Sequence, residues 1–122
     1  MLRIMSHPIQ ILSKLIGGNM NFTREESKIG MWGDKPLYCK MLSGDSISTG
    51  IYPDENNGNY EAVIGQFGWV IENNGYKHAF GIGYANNYCH IGLDNIEKNS
   101  LRAWNSFANK YEIVILYTKV VD

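Results

Sequence analysis

The sequence has almost no charge imbalance. Eleven Lys and Arg face twelve Asp and Glu, a formal net charge of -1 over 122 residues. It has no basic run either, so the electrostatic footprint of nucleic-acid binding is missing and no nucleic-acid partner is expected. Proline is scarce, with three residues, and a proline-rich linker is excluded. Two cysteines, Cys39 and Cys89, are too few for a disulfide scaffold. Both fall at inward positions of expected strands and read as buried thiols acting as small hydrophobes, in preference to a bridge. No segment approaches the ~20 apolar residues of a membrane span, so no membrane insertion is expected. The N-terminus carries Arg3 and an apolar patch without a signal-peptide h-region or a small-residue cleavage site. Cytoplasmic synthesis without a signal peptide follows as the expectation.

What the chain does have is aromatics and amides. Eight Tyr and three Trp suit strands and contact surfaces, and the length fits one domain. The first strand pair is read at Ile29–Trp32 and Pro36–Leu42. Gly33 and Asp34 tolerate the turn between them, and Pro36, without an N–H, belongs at a strand start or edge. In the second arm Leu37, Cys39 and Met41 share one face, and Tyr38, Lys40 and Leu42 the other. Tyr60–Glu72 is apolar on both parities, which marks a central strand covered on both sides. Asn73-Asn74-Gly75 is a hairpin turn of the Asn-Gly kind. Tyr76–Ala85 and Tyr88–Asp94 follow, and short turns between the three predict an antiparallel meander. Residues 95–110 read as a loop or a short helical turn through Leu101, Trp104 and Phe107. Tyr111–Val120 reads as another central strand. Trp32 and Trp69 sit inside apolar runs and are expected in the core.

Residues 1–19 differ from the rest. Ile9, Leu12, Leu15 and Ile16 recur at helical spacing, Ser6 offers a cap, and Gly17-Gly18 a stop. A helix of about ten residues is marginal alone. It must dock, either on the domain or as an assembly element that joins subunits. Met20 offers an alternative start. The expected fold is therefore all-β: an antiparallel β-sandwich or jelly-roll-like domain over residues 20–122, with a short N-terminal helical segment over residues 1–19.

The search for chemistry excludes more than it finds. His7, His78 and His90 lack the spacing of a metal site. Asp54–Asn59 holds acids and amides but not the alternation of a calcium loop, and it reads as a solvated loop. Cys89 and His90 point to opposite faces of one strand, which is wrong for a dyad. Glu25-Glu26 and Asp54-Glu55 are adjacent carboxylates, read as solvated charge instead of an opposed catalytic pair. No cofactor and no enzymatic activity are expected. Aromatic rings and amides do form the usual set for saccharides, with ring faces on sugar C–H groups and Asn or Asp on hydroxyls. Two candidate ligand-binding sets follow: Tyr52 with Asp54, Asn56 and Asn57, and Trp104 with Asn105.

Two stretches also carry a family resemblance. Thr23, Glu25, Glu26, Ile29, Gly30, Trp32, Asp34, Lys35, Pro36, Leu37, Tyr38 and Lys40 match a T-x-E-E-x-x-I-G-x-W-x-D-G-K-P-L-Y-x-K segment, with one residue fewer between Trp32 and Lys35. The C-terminal strand carries Tyr117-Thr118-Lys119, similar to a closing Y-T-K. This pattern resembles the C-terminal head or tip domains of bacteriophage and prophage tail-fibre and baseplate receptor-binding proteins. The resemblance implies a non-catalytic role in adhesion or assembly on a virion or tail-like particle. The partners it implies are a homotrimer, a host cell-surface glycan and other tail proteins. A structural joint of the tail and a free-standing lectin-like sandwich are the other readings that the residues allow.

Overall fold

The computed structural model describes residues 22–72, 74–80, 89–106 and 108–122. The helix expected within residues 1–19 lies outside them, as do Asn73, residues 81–88 and Phe107. The described residues form eight strands and no helix. These are β1 (Ser27–Trp32), β2 (Lys35–Gly44), β3 (Gly50–Ile51), β4 (Tyr60–Glu72), β5 (Lys77–Ala79), β6 (Cys89–Leu93), β7 (Leu101–Asn105) and β8 (Ala108–Lys119). They build two antiparallel sheets, ordered β1-β2-β8-β4-β5 and β3-β7-β6.

The two long apolar strands behave as their patterns demand. β8 lies between β2 and β4, and β4 lies between β8 and the short β5. The inner face of the large sheet presents Leu42, Val70, Ile113, Ile115 and Tyr117. These pack with Cys89, Ile91, Leu101 and Ala103 of the small sheet in one buried cluster. Each fully buried aliphatic side chain there contributes roughly 1.5–3 kcal/mol. The outer face of the large sheet carries a second cluster of Ile29, Leu37, Cys39 and Val114. The parity read for β2 holds: Leu37 and Cys39 go to the second cluster, while Leu42 joins the first. Cys39 and Cys89 are buried thiols in different clusters.

Glycines and one amide fix the geometry. Gly33, at φ 63°, takes the first position of the two-residue turn between Trp32 and Lys35, where an L side chain is disfavoured. Gly68 has φ 144° and lies so close to β8 that an added Cβ would stand 2.1 Å from the Glu112 carbonyl oxygen. Gln66 ties the sheets together. Its side-chain amide donates to the Ile91 carbonyl (2.8 Å) and accepts from the Ile91 N–H (3.0 Å). This satisfies backbone groups of β6, which lies at the edge of its sheet among the described strands.

Three expectations need correction. Among the described strands the meander holds only for β4 and β5, since β6 pairs with β7 in the other sheet, while the expected turn and strand residues 81–88 lie outside the described residues. Residues 101–105 form a strand, not a loop or helical turn: Leu101 and Ala103 alternate inward, a period of two hidden by the helical spacing of Leu101, Trp104 and Phe107. Trp32 is 50% exposed. It ends the edge strand β1 beside the turn, after a register shift between Lys28 and Gly30. Trp69 is half-buried, with the Lys77 ammonium 4.1 Å from its ring centre.

Two stability contrasts follow. Gly68→Ala should cost about 3 kcal/mol or more through backbone strain and overlap with β8, and Gly33→Ala about 1–2 kcal/mol through its positive φ alone. Urea unfolding of both variants checks this ranking, and equal losses would refute the close approach of β4 to β8.

Candidate functional site

The charged and tyrosine residues near the start and end of the described chain meet in space. Lys40 points into the inner face of the large sheet and places its ammonium 2.7 Å from both carboxylate oxygens of Asp54. The side chains are 3% and 8% exposed. Asp54 also accepts from the Tyr60 hydroxyl and from the Asn56 N–H. Glu26 accepts from the Tyr117 hydroxyl (2.6 Å) and the Lys119 ammonium (2.9 Å), and the Asn56 amide joins it at 3.1 Å. The Tyr60 and Tyr117 rings meet edge to face at 4.9 Å, with the Lys40 ammonium over both. Burial and the neighbouring carboxylates push the Tyr60 and Tyr117 hydroxyls far up, so both stay protonated donors. Burial alone would raise the Glu26 carboxyl, but the hydrogen bonds from Lys119 and Tyr117 outweigh it and hold it below its ordinary value.

Glu25 and Glu55 are exposed, as read from the sequence, but this network corrects the reading of Asp54 and Glu26 as solvated charge. Asp54 is buried and Glu26 is three-quarters covered. The loop 54–59 turns inward because its polar groups find partners there. Asn57 donates to the Tyr52 carbonyl and accepts from the Leu101 N–H. Asn59 brackets Val121 with two hydrogen bonds.

Beside this lock lies a set of adjoining clefts. One, of about 240 Å³, is lined by Arg24, Lys40, Ser43, Tyr52, Asp54 and Glu55, among others. A second, of about 330 Å³, runs under Ser46, Ile47, Ser48, Thr49, Tyr52 and Tyr111. A third, of about 260 Å³, is walled by Arg24, Ser43, Asp45, Trp69, Tyr111 and Glu112. Tyr52 and Tyr111 stand between them, hydroxyl to hydroxyl at 2.7 Å with their rings edge to face. Gly44 pairs with Tyr111 across the strands, and a Cβ there would stand 2.9 Å from the Tyr111 hydroxyl oxygen. The glycine makes room for the ring. Arg24 is oriented by a 2.8 Å hydrogen bond to Ser43.

Of the sequence candidates, Tyr52 and Asp54 both line the first cleft, and Tyr52 also lines the second. Asn56 and Asn57 spend their side chains on Glu26, Tyr52 and Leu101. Trp104 and Asn105 are not brought together. Trp104 lies on the outer face of the small sheet, stacked on His90 at 4.6 Å with Arg102 nearby. Asn105 donates to the Ile47 carbonyl, and Thr49 clasps its backbone. Sequence reading missed Arg24, Ser43, Trp69 and Tyr111 as neighbours. They come from four separate segments, the lead into β1, β2, β4 and β8, whose register the sequence does not state. Among the described residues no group of three His, Cys, Asp or Glu is placed to hold a metal ion.

The network predicts two behaviours. Lys40→Met leaves Asp54 buried without its cation and should cost about 3–5 kcal/mol. Lys35→Met breaks a solvent-screened pair with Glu61 and should cost far less than Lys40→Met. Glu26 has a folded value below its ordinary 4.5. Its contribution is therefore complete above that value and is lost as pH falls through the lower folded value. Glu26→Gln should cost about 1–2 kcal/mol at neutral pH, and the gap to the wild type should shrink in acid. Urea unfolding at neutral pH and at about pH 3 measures both, and a gap that widens in acid would refute the assignment.

Comparison with protein-family models, curated proteins and solved structures finds no match to this chain.

Proposed function

We propose that this domain is a non-catalytic recognition module of the tail-fibre or tail-tip kind, and that it binds a host-surface saccharide in the clefts around Tyr52 and Tyr111. The observation that carries this reading is the convergence at one rim of ring edges, hydroxyls, carboxylates and a guanidinium. Tyr52 and Trp69 offer half-buried ring surface, and the buried Tyr111 backs Tyr52. Ser43, Ser46, Asp45 and Glu112 offer groups that pair with sugar hydroxyls, and Arg24 is held ready by Ser43. The clefts are lined in comparable parts by polar and apolar atoms, as a ligand with both C–H and hydroxyl faces requires. The non-catalytic reading is supported by Asp54, the most buried carboxylate of the rim. It is held by Lys40, Tyr60 and Asn56, which leaves it committed to the fold.

The residues that carry the tail-fibre resemblance support the same reading from another side. Glu26 from one matching stretch bonds Tyr117 and Lys119 from the other, and Lys35 donates to the Lys119 carbonyl at 2.8 Å. The two stretches thus form one structural unit that holds the clefts in place. A homotrimer belongs to this proposal, since threefold repetition of a weak site gains avidity.

The test is a glycan array probed with the full chain, followed by titration of the best glycan against Arg24→Ala and Trp69→Ala. Each variant should weaken binding on the order of tenfold, about 1.4 kcal/mol, with unfolding midpoints near that of the wild type. Light scattering should give the mass of a trimer. An array without hits, or binding that neither variant changes, would overturn the saccharide reading. A monomer without glycan binding would leave a structural joint of a tail.

A further inference from the structure

The charged pair at the centre of the network has the chemistry and the spacing of two reactants. A primary amine and a carboxylic acid condense to an amide with loss of water, and between side chains the product is an isopeptide bond. In bulk water such groups stay ionised and solvated. Here both are taken out of it, with the side chains of Lys40 and Asp54 3% and 8% exposed. The Lys40 Nζ lies 2.7 Å from Asp54 Oδ1 and 2.7 Å from Oδ2. An atom equally near both oxygens of a carboxylate lies about 3 Å from the carbon between them, the separation of a near-attack pair. The two residues are 14 apart in sequence, and each is fixed by its own backbone. Lys40 pairs opposite Ile115 between β2 and β8. Asp54 opens a turn in which its carbonyl accepts from the Asn57 N–H at 3.1 Å.

The carboxylate is also polarised from one side. The Tyr60 hydroxyl and the Asn56 N–H (3.0 Å) both donate to Oδ2, while Oδ1 faces the lysine. The two oxygens are therefore unequal. Charge that develops on Oδ2 when a nucleophile attacks the carbon meets donors already in place, as in an oxyanion hole, and Oδ1 is the oxygen left to depart. The Tyr60 and Tyr117 rings stand 5.4 and 5.7 Å from the ammonium and shield it. On the other side, the cleft of about 240 Å³ is lined by both Lys40 and Asp54 and gives a released water its way out.

We propose that Lys40 and Asp54 condense, without a second protein, to an isopeptide bond that staples β2 to the loop leading into β4. One proton passes from the Lys40 ammonium to Oδ1 and leaves a neutral amine and a carboxylic acid. The Nζ lone pair attacks Cγ, the Nζ–Cγ bond forms, and the carbonyl electron pair moves onto Oδ2 between Tyr60 and the Asn56 N–H. A second proton leaves Nζ for Oδ1, the Cγ–Oδ1 bond breaks, and Oδ1 departs as water while the carbonyl re-forms at Oδ2. The opposite charges of the pair cancel, and no oxidant, reductant or co-reactant is consumed. β2 and β4 lie on the two sides of β8, so the bond ties its neighbours together. Cys39 and Cys89, in different clusters, supply no such closure. The inference is independent of the saccharide reading.

Mass spectrometry of the full chain, folded and then denatured, is the test. The wild type should weigh less than its sequence by one water, about 18 Da, and Lys40→Arg should weigh what its sequence gives. Trypsin should fail to cut after Lys40 and release residues 29–77 as one peptide, lighter by the same water. Fragmentation of that peptide should yield no backbone cleavage products between Lys40 and Asp54, because the bond closes a ring there. Tyr60→Phe keeps the ring and removes one donor from Oδ2. It should slow the appearance of the lighter species on the order of tenfold or more, followed from cell-free synthesis onward. The wild-type mass decides the proposal whether or not either variant folds. A wild type that keeps its full sequence mass after prolonged incubation overturns it, and so does a lost water that maps to any other residues. A Tyr60→Phe chain that folds and reacts at the wild-type rate overturns the assigned route.

Discussion

The structure depends on one buried ion pair. Lys40 and Asp54 are taken out of water together, and neither could be left there alone. Lys40 comes from the hairpin that opens the described chain, and Asp54 from the loop that leads into β4. Their contact pulls the loop inward, and its amides then have to find partners inside as well. Asn57 does so on Tyr52 and on β7, while Asn56 does so on Glu26. The tyrosines are the insulating layer. Tyr60 and Tyr117 present hydroxyls to the carboxylates and ring faces to the lysine, so the charged groups meet a satisfied environment on every side that the structure describes. Such a network is costly to disrupt in part, since each deletion leaves a charge or a hydroxyl behind.

The same network shapes the proposed site by exclusion. Groups committed to the lock do not serve a ligand, and the lock takes Lys40, Asp54, Asn56 and Asn57 first. What the rim keeps for recognition is the next ring outward: Arg24, Ser43, Asp45, Tyr52, Trp69, Tyr111 and Glu112. Tyr52 stands at the boundary. Its hydroxyl meets Tyr111, and burial and that hydrogen bond push it well up, so it remains protonated. Its ring edge faces the clefts. A rigid interior pressed directly against a shallow rim preorganises that rim, since the ring positions are set by packing on the lock.

How much of this was legible in the sequence depends on the range of the pattern. Local features read well. The hairpin at Gly33, the two-faced strand at Tyr60–Glu72 and the central final strand all follow from period-two alternation and turn chemistry. The failures are non-local. Nothing local to Cys89–Leu93 states that it pairs with β7 in a second sheet, and its tie to the large sheet is Gln66, which bonds the Ile91 backbone from 25 residues away. β7 was hidden because Leu101, Trp104 and Phe107 mimic a helical stripe while Ala103, the informative inward residue, is small. The polar loop was misread for the opposite reason. Acids and amides signal solvent when counted locally, and only the arrival of Lys40 and two tyrosines makes them an interior. The candidate site shares this difficulty: Tyr52 was found, whereas its neighbours from residues 24, 43, 69 and 111 become neighbours through strand register alone.

The charge balance and the cleft sizes bear together on the proposed recognition. A net charge of -1 gives little long-range steering, and clefts of about 240–330 Å³ sit at the small end of ligand sites. Under the proposed reading a single domain of this kind would bind a neutral sugar weakly, because few contacts offset the lost freedom of the ligand. Recognition by such a surface gains strength by repetition, where each further site engages at an effective concentration set by the assembly and not by diffusion. Under the proposed reading, oligomer and binding site are therefore one question. The rim needs copies of itself held in fixed geometry, and the rigid Lys40–Asp54 interior is what would keep every copy of the rim alike.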